Sequence, residues 1–259
     1  MACSFSQLFI SVMEDSELIL YNMKIDKELY HPTHPQHKGL KLEYTVTPFH
    51  CDGCKEAGIG LKYTCHWCDF DLHKACAVAA PSNIFTHPFY PRCEFKLYYR
   101  PPGPGRRRCD ACQKEVLGFT YHCKRCDFDL HPCCATLPRV LNDGETNLYL
   151  SHKFSCPCHH CGGKGLGWSY RSENKLYNLH VSCVKELLVE SWQATYFNVD
   201  KNKVRDLQTD IPKLKGSGAR GSGGNLSKKA GVAIRTIVSA LLGDPTAILA
   251  AAIGGFFSL

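Results

Sequence analysis

The stretch Cys65-His-Trp-Cys-Asp-Phe-Asp-Leu-His73-Lys-Ala-Cys76 decides how this chain is organised, because it recurs almost unchanged further on. Residues 123–134 read Cys-Lys-Arg-Cys-Asp-Phe-Asp-Leu-His-Pro-Cys-Cys, so the thiols and the imidazole return at the same places. A Cys-x2-Cys pair precedes each copy, Cys51/Cys54 and Cys109/Cys112, with ten residues between the pairs in both cases. Two runs with the same spacing indicate a repeat of metal ligands.

The composition favours several small units over one large domain. The chain has 259 residues with 17 Cys and 13 His, and almost all of these lie between residues 31 and 183. Units of about 50–60 residues bury little apolar surface and need a disulfide or a metal as an additional constraint. Residues 1–10 lack the basic region and cleavage site of a secretory signal, so we expect zinc in a reducing, intracellular compartment instead of disulfides.

The third repeat is degenerate and shows how the ligands pair. It keeps a first pair, Cys158/Cys161, and a final His180-x2-Cys183, but Ser172 and Lys175 replace the intervening Cys pair. Because the four remaining residues must form one site, the two sites of a full repeat are interleaved. Pairing neighbours along the sequence would leave the third repeat with half of each site.

Five sites with four ligands each follow from this pairing, so we expect about five Zn²⁺ ions per chain. The first repeat would use Cys51, Cys54, His73 and Cys76 in one site and His31, His37, Cys65 and Cys68 in the other. The second would use Cys109, Cys112, His131 and Cys134, with His87, Cys93, Cys123 and Cys126; the third would use Cys158, Cys161, His180 and Cys183. His34 remains an alternative to His31 or His37, and Cys3, Cys133 and Cys156 are unassigned.

The predicted order of segments is an N-terminal extension (1–30), zinc repeats at 31–81, 86–138 and 149–192, a flexible basic linker (201–229) and an apolar tail (230–259). Within a repeat, alternation over residues 40–46 predicts a strand, and a short helix after Asp69 would present His73 and Cys76 on one face. The predicted fold class is therefore small α+β zinc-stabilised domains in tandem, each a short β-sheet with a short helix. The apolar pattern of the tail predicts helix, and we expect the tail either to dock on protein or to associate with a membrane surface.

The motifs His-Pro-x-His-Pro, Cys-Asp-Gly-Cys and Cys-Asp-Phe-Asp-Leu-His-x2-Cys resemble the plant cysteine/histidine-rich divergent C-one domain family. That family is related to the diacylglycerol- and phorbol-ester-binding zinc domain of protein kinase C. The resemblance implies two interleaved zinc ions per full unit, no catalysis, and an adaptor role in plant signalling or stress response. The ten-residue loops 55–64 and 113–122 have no counterpart of the Gln that shapes the diacylglycerol groove in the lipid-binding relatives. Diacylglycerol is therefore not the expected ligand.

Other classes of protein fit the pattern less well. A ring or plant-homeodomain finger, in ubiquitin transfer or chromatin reading, needs a further Cys-x2-Cys, and the next one, Cys109/Cys112, belongs to the second repeat. An enzyme needs an open coordination position or an activated nucleophile, whereas four protein ligands close a zinc site. The net charge is +7, but the sequence does not predict a recognition helix, so nucleic acid is not an expected partner either. The prediction is an interaction protein with protein partners, at the cytosol, a cytosolic membrane face or the nucleus.

Overall fold

The computed structural model describes residues 26–37, 39–79, 84–142, 147–152, 156–173 and 178–196. Within them lie three four-stranded antiparallel sheets, and each sheet belongs to one repeat. Most of the N-terminal extension, Lys175, the linker and the apolar tail fall outside the described residues. Among the helices that are described, none combines the length and the apolar character needed to cross a bilayer.

The first repeat is a small sheet followed by one turn of helix. Its strands are β1 (Glu28–Leu29), β2 (Leu40–His50), β3 (Ala57–Thr64) and β4 (Asp71–His73), which pair in chain order, and α1 (Lys74–Ala77) follows. The predicted strand at residues 40–46 is thus part of β2, with Leu40 buried and Lys41 exposed. The predicted helix differs from the structure: the chain is extended up to His73, and only residues 74–77 are helical.

The second repeat follows the same plan, and in the third the sheet is followed by a longer helix. The second contains β5 (Phe85–His87), β6 (Tyr90–Tyr98), β7 (Thr120–Cys123), β8 (Phe128–Leu130) and α2 (Pro132–Ala135). The third contains β9 (Val140–Asn142), β10 (Asn147–Ser151), β11 (Ser169–Ser172), β12 (Asn178–His180) and α3 (Val181–Tyr196). Strands β6 and β10 alternate buried and exposed positions, as expected when one face of a small sheet packs inward.

The repeats pack on one another through a contact that occurs twice. The backbone N–H of Phe119 donates to the carbonyl of Gly53 at 2.8 Å, and that of Trp168 donates to Ala111 at 2.7 Å. Gly53 and Ala111 occupy the same place in the Cys-x2-Cys turns of repeats one and two. Each donor follows a glycine, Gly118 or Gly167, whose added Cβ would lie 2.0 or 2.6 Å from that carbonyl oxygen. The close approach between repeats therefore requires glycine at both positions.

The buried apolar side chains form one continuous cluster through the three sheets. Its largest fully buried members include Trp168, Tyr63, Tyr170 and Phe95, drawn from all three repeats. Three units that are individually too small for a substantial core thus share one. The three repeats form a single stack.

Candidate metal centres

The structure brings the paired thiols and imidazoles together in five clusters within the part of the chain that it describes. Three clusters have three Cys and one His, and their ligand atoms all lie within 4.8 Å of one another. They comprise Cys51, Cys54, His73 and Cys76; Cys109, Cys112, His131 and Cys134; and Cys158, Cys161, His180 and Cys183. These are the interleaved groups that the degenerate third repeat predicts.

The spacing within these three clusters suits zinc. The histidine Nδ1 lies 3.3, 3.4 and 3.4 Å from the Sγ of Cys54, Cys112 and Cys161 respectively. Zinc bonds of roughly 2.3 Å to sulfur and 2.0 Å to nitrogen give a tetrahedral edge of about 3.5 Å. The donor set and its spacing therefore fit a structural Zn²⁺ ion in each repeat.

The second ring nitrogen of each ligand histidine is held by the backbone. The Nε2–H groups of His73, His131 and His180 donate to the carbonyls of residues 57, 115 and 164, at 3.2–3.3 Å. This bond fixes the ring orientation and leaves Nδ1 as the metal ligand. The backbone N–H of each histidine also donates to the first thiol of its cluster, as from His73 to Cys51 Sγ at 3.3 Å.

A tight turn carries each first Cys pair. The residue after the pair donates its N–H to the carbonyl of the first Cys, at 2.9 Å for Lys55, 2.7 Å for Gln113 and 2.8 Å for Gly162. All three residues have positive φ, at 64°, 59° and 70°. Glycine adopts this conformation without steric cost, whereas Lys55 and Gln113 are held there by the fold around them.

The second cluster of the first repeat contains His34, His37, Cys65 and Cys68. Nδ1 of His37 lies 3.3 Å from Cys65 Sγ, and Nε2 of His34 lies 3.6 Å from Cys68 Sγ. The Gln36 side-chain amide donates to Nδ1 of His34 at 2.8 Å, and the ring stacks on Phe70 at 4.2 Å. Two thiolates and two imidazoles around Zn²⁺ form a neutral tetrahedral site.

The prediction and the structure differ at His31, which lies outside this cluster. Its ring stacks on Phe119 of the second repeat at 5.6 Å, and its Nδ1 lies 2.8 Å from the Thr33 hydroxyl. His34 supplies the second imidazole in its place. The sequence leaves His34 open as an alternative to His31, and the structure places His34 in the cluster.

His87 also lies outside the cluster predicted for it. Its ring stacks on Trp168 of the third repeat at 4.6 Å, and its Nδ1 accepts a hydrogen bond from Phe89 N–H at 3.1 Å. Burial lowers the pKa of His87 to about 4, with smaller contributions from Arg139 and His152. His31 and His87 are thus equivalent after all, but as rings on which the next repeat packs and not as ligands.

The second cluster of repeat two consequently contains three thiols, Cys93, Cys123 and Cys126. Tyr90 takes the place of His34, three residues before the next ligand, and its ring packs on Phe128 at 4.6 Å as His34 packs on Phe70. The Tyr90 hydroxyl accepts a hydrogen bond from Trp168 Nε1–H at 3.1 Å. Burial raises the pKa of Tyr90 to about 12, so the hydroxyl stays neutral and is a poor metal ligand.

Lys185 links the metal centre of the second repeat to both other repeats. It extends from α3 in the third repeat and lies 2.6 Å from both carboxylate oxygens of Glu56 in the first. Its Nζ also lies 3.7 and 3.8 Å from the Sγ atoms of Cys112 and Cys134. Three thiolates and one imidazole leave a zinc site with excess negative charge, which this ammonium offsets.

The ligand spacing predicts most members of the clusters but places His31 and His87 among them instead of His34, and it does not indicate the contacts between repeats. Lys185 and Glu56 are 129 residues apart, and no local pattern connects them. One signal was present: Gly118-Phe119 and Gly167-Trp168 recur at the same distance from their Cys pairs. A glycine followed by an aromatic residue at equivalent positions indicates a close backbone approach.

The fold and these clusters define a class of protein: tandem zinc-organised repeats, each built of short antiparallel strands followed by a helix. Residues 32–77 and 86–135 match the family model of the C1 domain. The first two repeats are therefore C1-like, cysteine/histidine-rich zinc domains, with ligand clusters suited to Zn²⁺. No solved structure matches the chain.

Proposed function

We propose that the chain is a non-catalytic adaptor that binds protein partners, in an intracellular signalling or stress-response pathway of the kind that the family resemblance implies for plants. Four of the described clusters already have four protein ligands, which closes a zinc site to substrates. The metal then stabilises the fold. In a domain of this size, the free energy of zinc binding contributes directly to the free energy of folding.

The exposed side chain of Trp67 is the observation that carries this proposal. It is 79 % exposed, although it lies between the metal ligands Cys65 and Cys68. Its backbone N–H donates to Cys65 Sγ at 3.4 Å, so the metal turn holds the residue that carries the indole. Tryptophan is enriched among residues that dominate binding energy, and a residue held in place loses less entropy on binding.

Two leucines extend the apolar surface on the later repeats. Leu117 and Leu166 each lie five residues after a Cys pair and are 60 % and 71 % exposed. Ile59 occupies the equivalent position of the first repeat and is buried. Each repeat thus offers an exposed apolar group next to a metal-fixed turn: a Trp in the first and a Leu in the second and third.

A photo-crosslinking amino acid at position 67 of the full-length protein in cells tests the proposal, with the same group at position 125 as the matched control. Arg125 is exposed and occupies the equivalent place in the metal turn of repeat two. We expect the crosslinking group to give discrete protein adducts at position 67 and none at position 125. We also expect Trp67→Ala to lose binding to the protein that these adducts identify. Equal adducts at both positions would contradict the proposal. So would a Trp67-dependent association with phospholipid vesicles without any protein adduct, which would instead indicate a membrane role.

A further inference from the structure

The second cluster of repeat two has three ligands, whereas the other clusters within the described residues have four. Its members, Cys93, Cys123 and Cys126, bring their sulfur atoms within 4.8 Å of one another. Cys93 and Cys123 are buried, but Cys126 is partly exposed, so the cluster reaches the surface of the protein. A zinc ion with three protein ligands takes its fourth ligand from solution.

Trp168 of the third repeat holds both side chains that stand nearest in sequence to completing this cluster. The Tyr90 hydroxyl accepts a hydrogen bond from Trp168 Nε1–H at 3.1 Å, and the His87 ring stacks on the Trp168 indole at 4.6 Å. The equivalent of Tyr90 in the first repeat is His34, whose Nε2 instead lies 3.6 Å from Cys68 Sγ. In the second repeat the packing between repeats thus uses the side chains that could otherwise bind the metal.

Three cationic residues lie next to the ligands of this cluster in the sequence. Arg92 directly precedes the first thiol, and Lys124 and Arg125 lie in the turn between the other two; all three residues are exposed. The Arg125 guanidinium donates to the Arg92 carbonyl, which joins the metal turn to β6. The adjacent acidic residues are Glu94 and Asp127, and the carboxylate of Asp127 is already paired with a guanidinium. The equivalent positions of the first repeat carry no permanent cation: Gln36, His66 and Trp67.

We propose that the three-thiol cluster of the second repeat binds an anionic thiol as the fourth ligand of its metal ion. A thiolate matches the three sulfur donors in softness, and the carboxylates of a peptide thiol would pair with Lys124 and Arg125. The incoming thiol loses its proton to solvent, its sulfur donates an electron pair to the ion, and one water molecule leaves. No electron is transferred, so the thiol dissociates again when its concentration falls.

Native mass spectrometry of the zinc-loaded, full-length protein with reduced glutathione tests the proposal. We expect one glutathione per chain, which is lost when the protein is sprayed under denaturing conditions, because a coordination bond does not survive unfolding whereas a disulfide does. Tyr90→His supplies an imidazole from the chain, so this variant should keep its zinc and bind no glutathione. Three results would each overturn the proposal: zinc at this cluster without glutathione, no zinc at this cluster, or an adduct that survives denaturation.

Reversal of one charge provides a second test that leaves every metal ligand in place. Lys124→Glu should keep the wild-type number of zinc ions and bind glutathione several-fold more weakly, while its binding of uncharged 2-mercaptoethanol changes less. Lys164 is also exposed and lies in the metal turn of the third repeat, where the cluster has four ligands. Lys164→Glu is therefore the matched control and should bind glutathione as the wild type does.

Equal weakening of glutathione binding in Lys124→Glu and Lys164→Glu would contradict the proposed role of the basic turn. So would an equal loss of both thiols in Lys124→Glu. Either result would leave the adaptor role intact, because the crosslinks at position 67 measure it separately.

Discussion

At the scale of the single residue, ring position decides which histidines serve as ligands. His34 and His31 are both buried, but only the His34 ring meets the thiols of Cys65 and Cys68. His31 has its ring against Phe119 instead. Burial and sequence spacing alone do not distinguish the two roles, whereas the partner of each ring does.

We predict that His34→Ala and His31→Ala have different effects on zinc content. His34→Ala should lose one zinc ion per chain, because it removes one of four ligands. His31→Ala should keep every ion, while it loses the ring contact between the first two repeats and the hydrogen bond with Thr33. Native mass spectrometry distinguishes them, and loss of an ion from His31→Ala would show that the ligand set is wrong.

A tyrosine in place of a histidine sets the second repeat apart. Tyr90→His should complete the cluster of Cys93, Cys123 and Cys126, since position 90 is equivalent to position 34. We expect this variant to retain its zinc at chelator concentrations that strip the wild-type site, as measured by zinc content after dialysis. His34→Tyr is the reciprocal control and should weaken the first repeat's site. No gain in zinc retention would mean that position 90 does not face the three thiols.

The buried ring of His87 gives the protein a specific sensitivity to acid. Its pKa of about 4 in the folded state lies below the usual 6.5. Between these two pH values the unfolded chain binds a proton that the folded chain does not bind. Its contribution to stability is therefore complete above pH 6.5 and is lost as the pH falls towards 4. His87→Phe keeps an aromatic ring against Trp168 but does not titrate. Its free energy of unfolding should fall less than that of the wild type between about pH 7 and pH 5, in urea titrations. Equal slopes would contradict this assignment, because the zinc ligands titrate alike in both proteins.

At the scale of the structural element, the glycine before each inter-repeat hydrogen bond controls how the repeats pack. A Cβ at position 118 would lie 2.0 Å from the Gly53 carbonyl oxygen, a backbone atom that cannot rotate away. We expect Gly118→Ala to cost about 1–3 kcal/mol of stability, as overpacking does in a tight core. Faster hydrogen exchange at the Phe119 amide would locate the damage. Gly163→Ala is the control, since its Cβ would meet no atom closer than 3.7 Å.

The metal-binding framework was readable from the sequence because the constraint lies in ligand spacing. The two Cys pairs of a repeat stay ten residues apart, and repeat three loses one pair as a unit, which specifies the interleaved pairing. The three-residue spacing of His73 and Cys76 predicts a helix that already includes His73, whereas the helix of the structure begins at Lys74. That spacing suits a helix face, yet a strand end followed by one helical turn also brings the two side chains together.

The remaining features depend on contacts between repeats. The sequence gives His31 and His87 the same six-residue spacing from a later His or Cys, and this favoured them as ligands. Their actual partners, Phe119 and Trp168, lie in the following repeat. Such contacts arise from how small domains pack, which periodicity within one repeat does not specify.

At the scale of the whole molecule, the ion pair of Lys185 and Glu56 joins the third repeat to the first across the metal centre of the second. Both side chains are only 16 % exposed. Lys185→Met should destabilise the protein by about 3 kcal/mol, because it leaves a largely buried carboxylate without its partner beside an anionic metal site. Adding Glu56→Gln should recover part of that loss, and a double-mutant cycle by chemical denaturation measures the coupling. Strictly additive effects would show that the two groups act independently.

The stacking of the repeats also bears on how the ligands of the second repeat become enclosed during synthesis. Lys185, which approaches this metal centre from the third repeat, follows Cys134 by 51 residues. A ribosome therefore releases all four ligands of the centre before the side chain that covers them has been made. The centre is open to solvent while the third repeat is being synthesised, and it becomes enclosed when α3 folds against it.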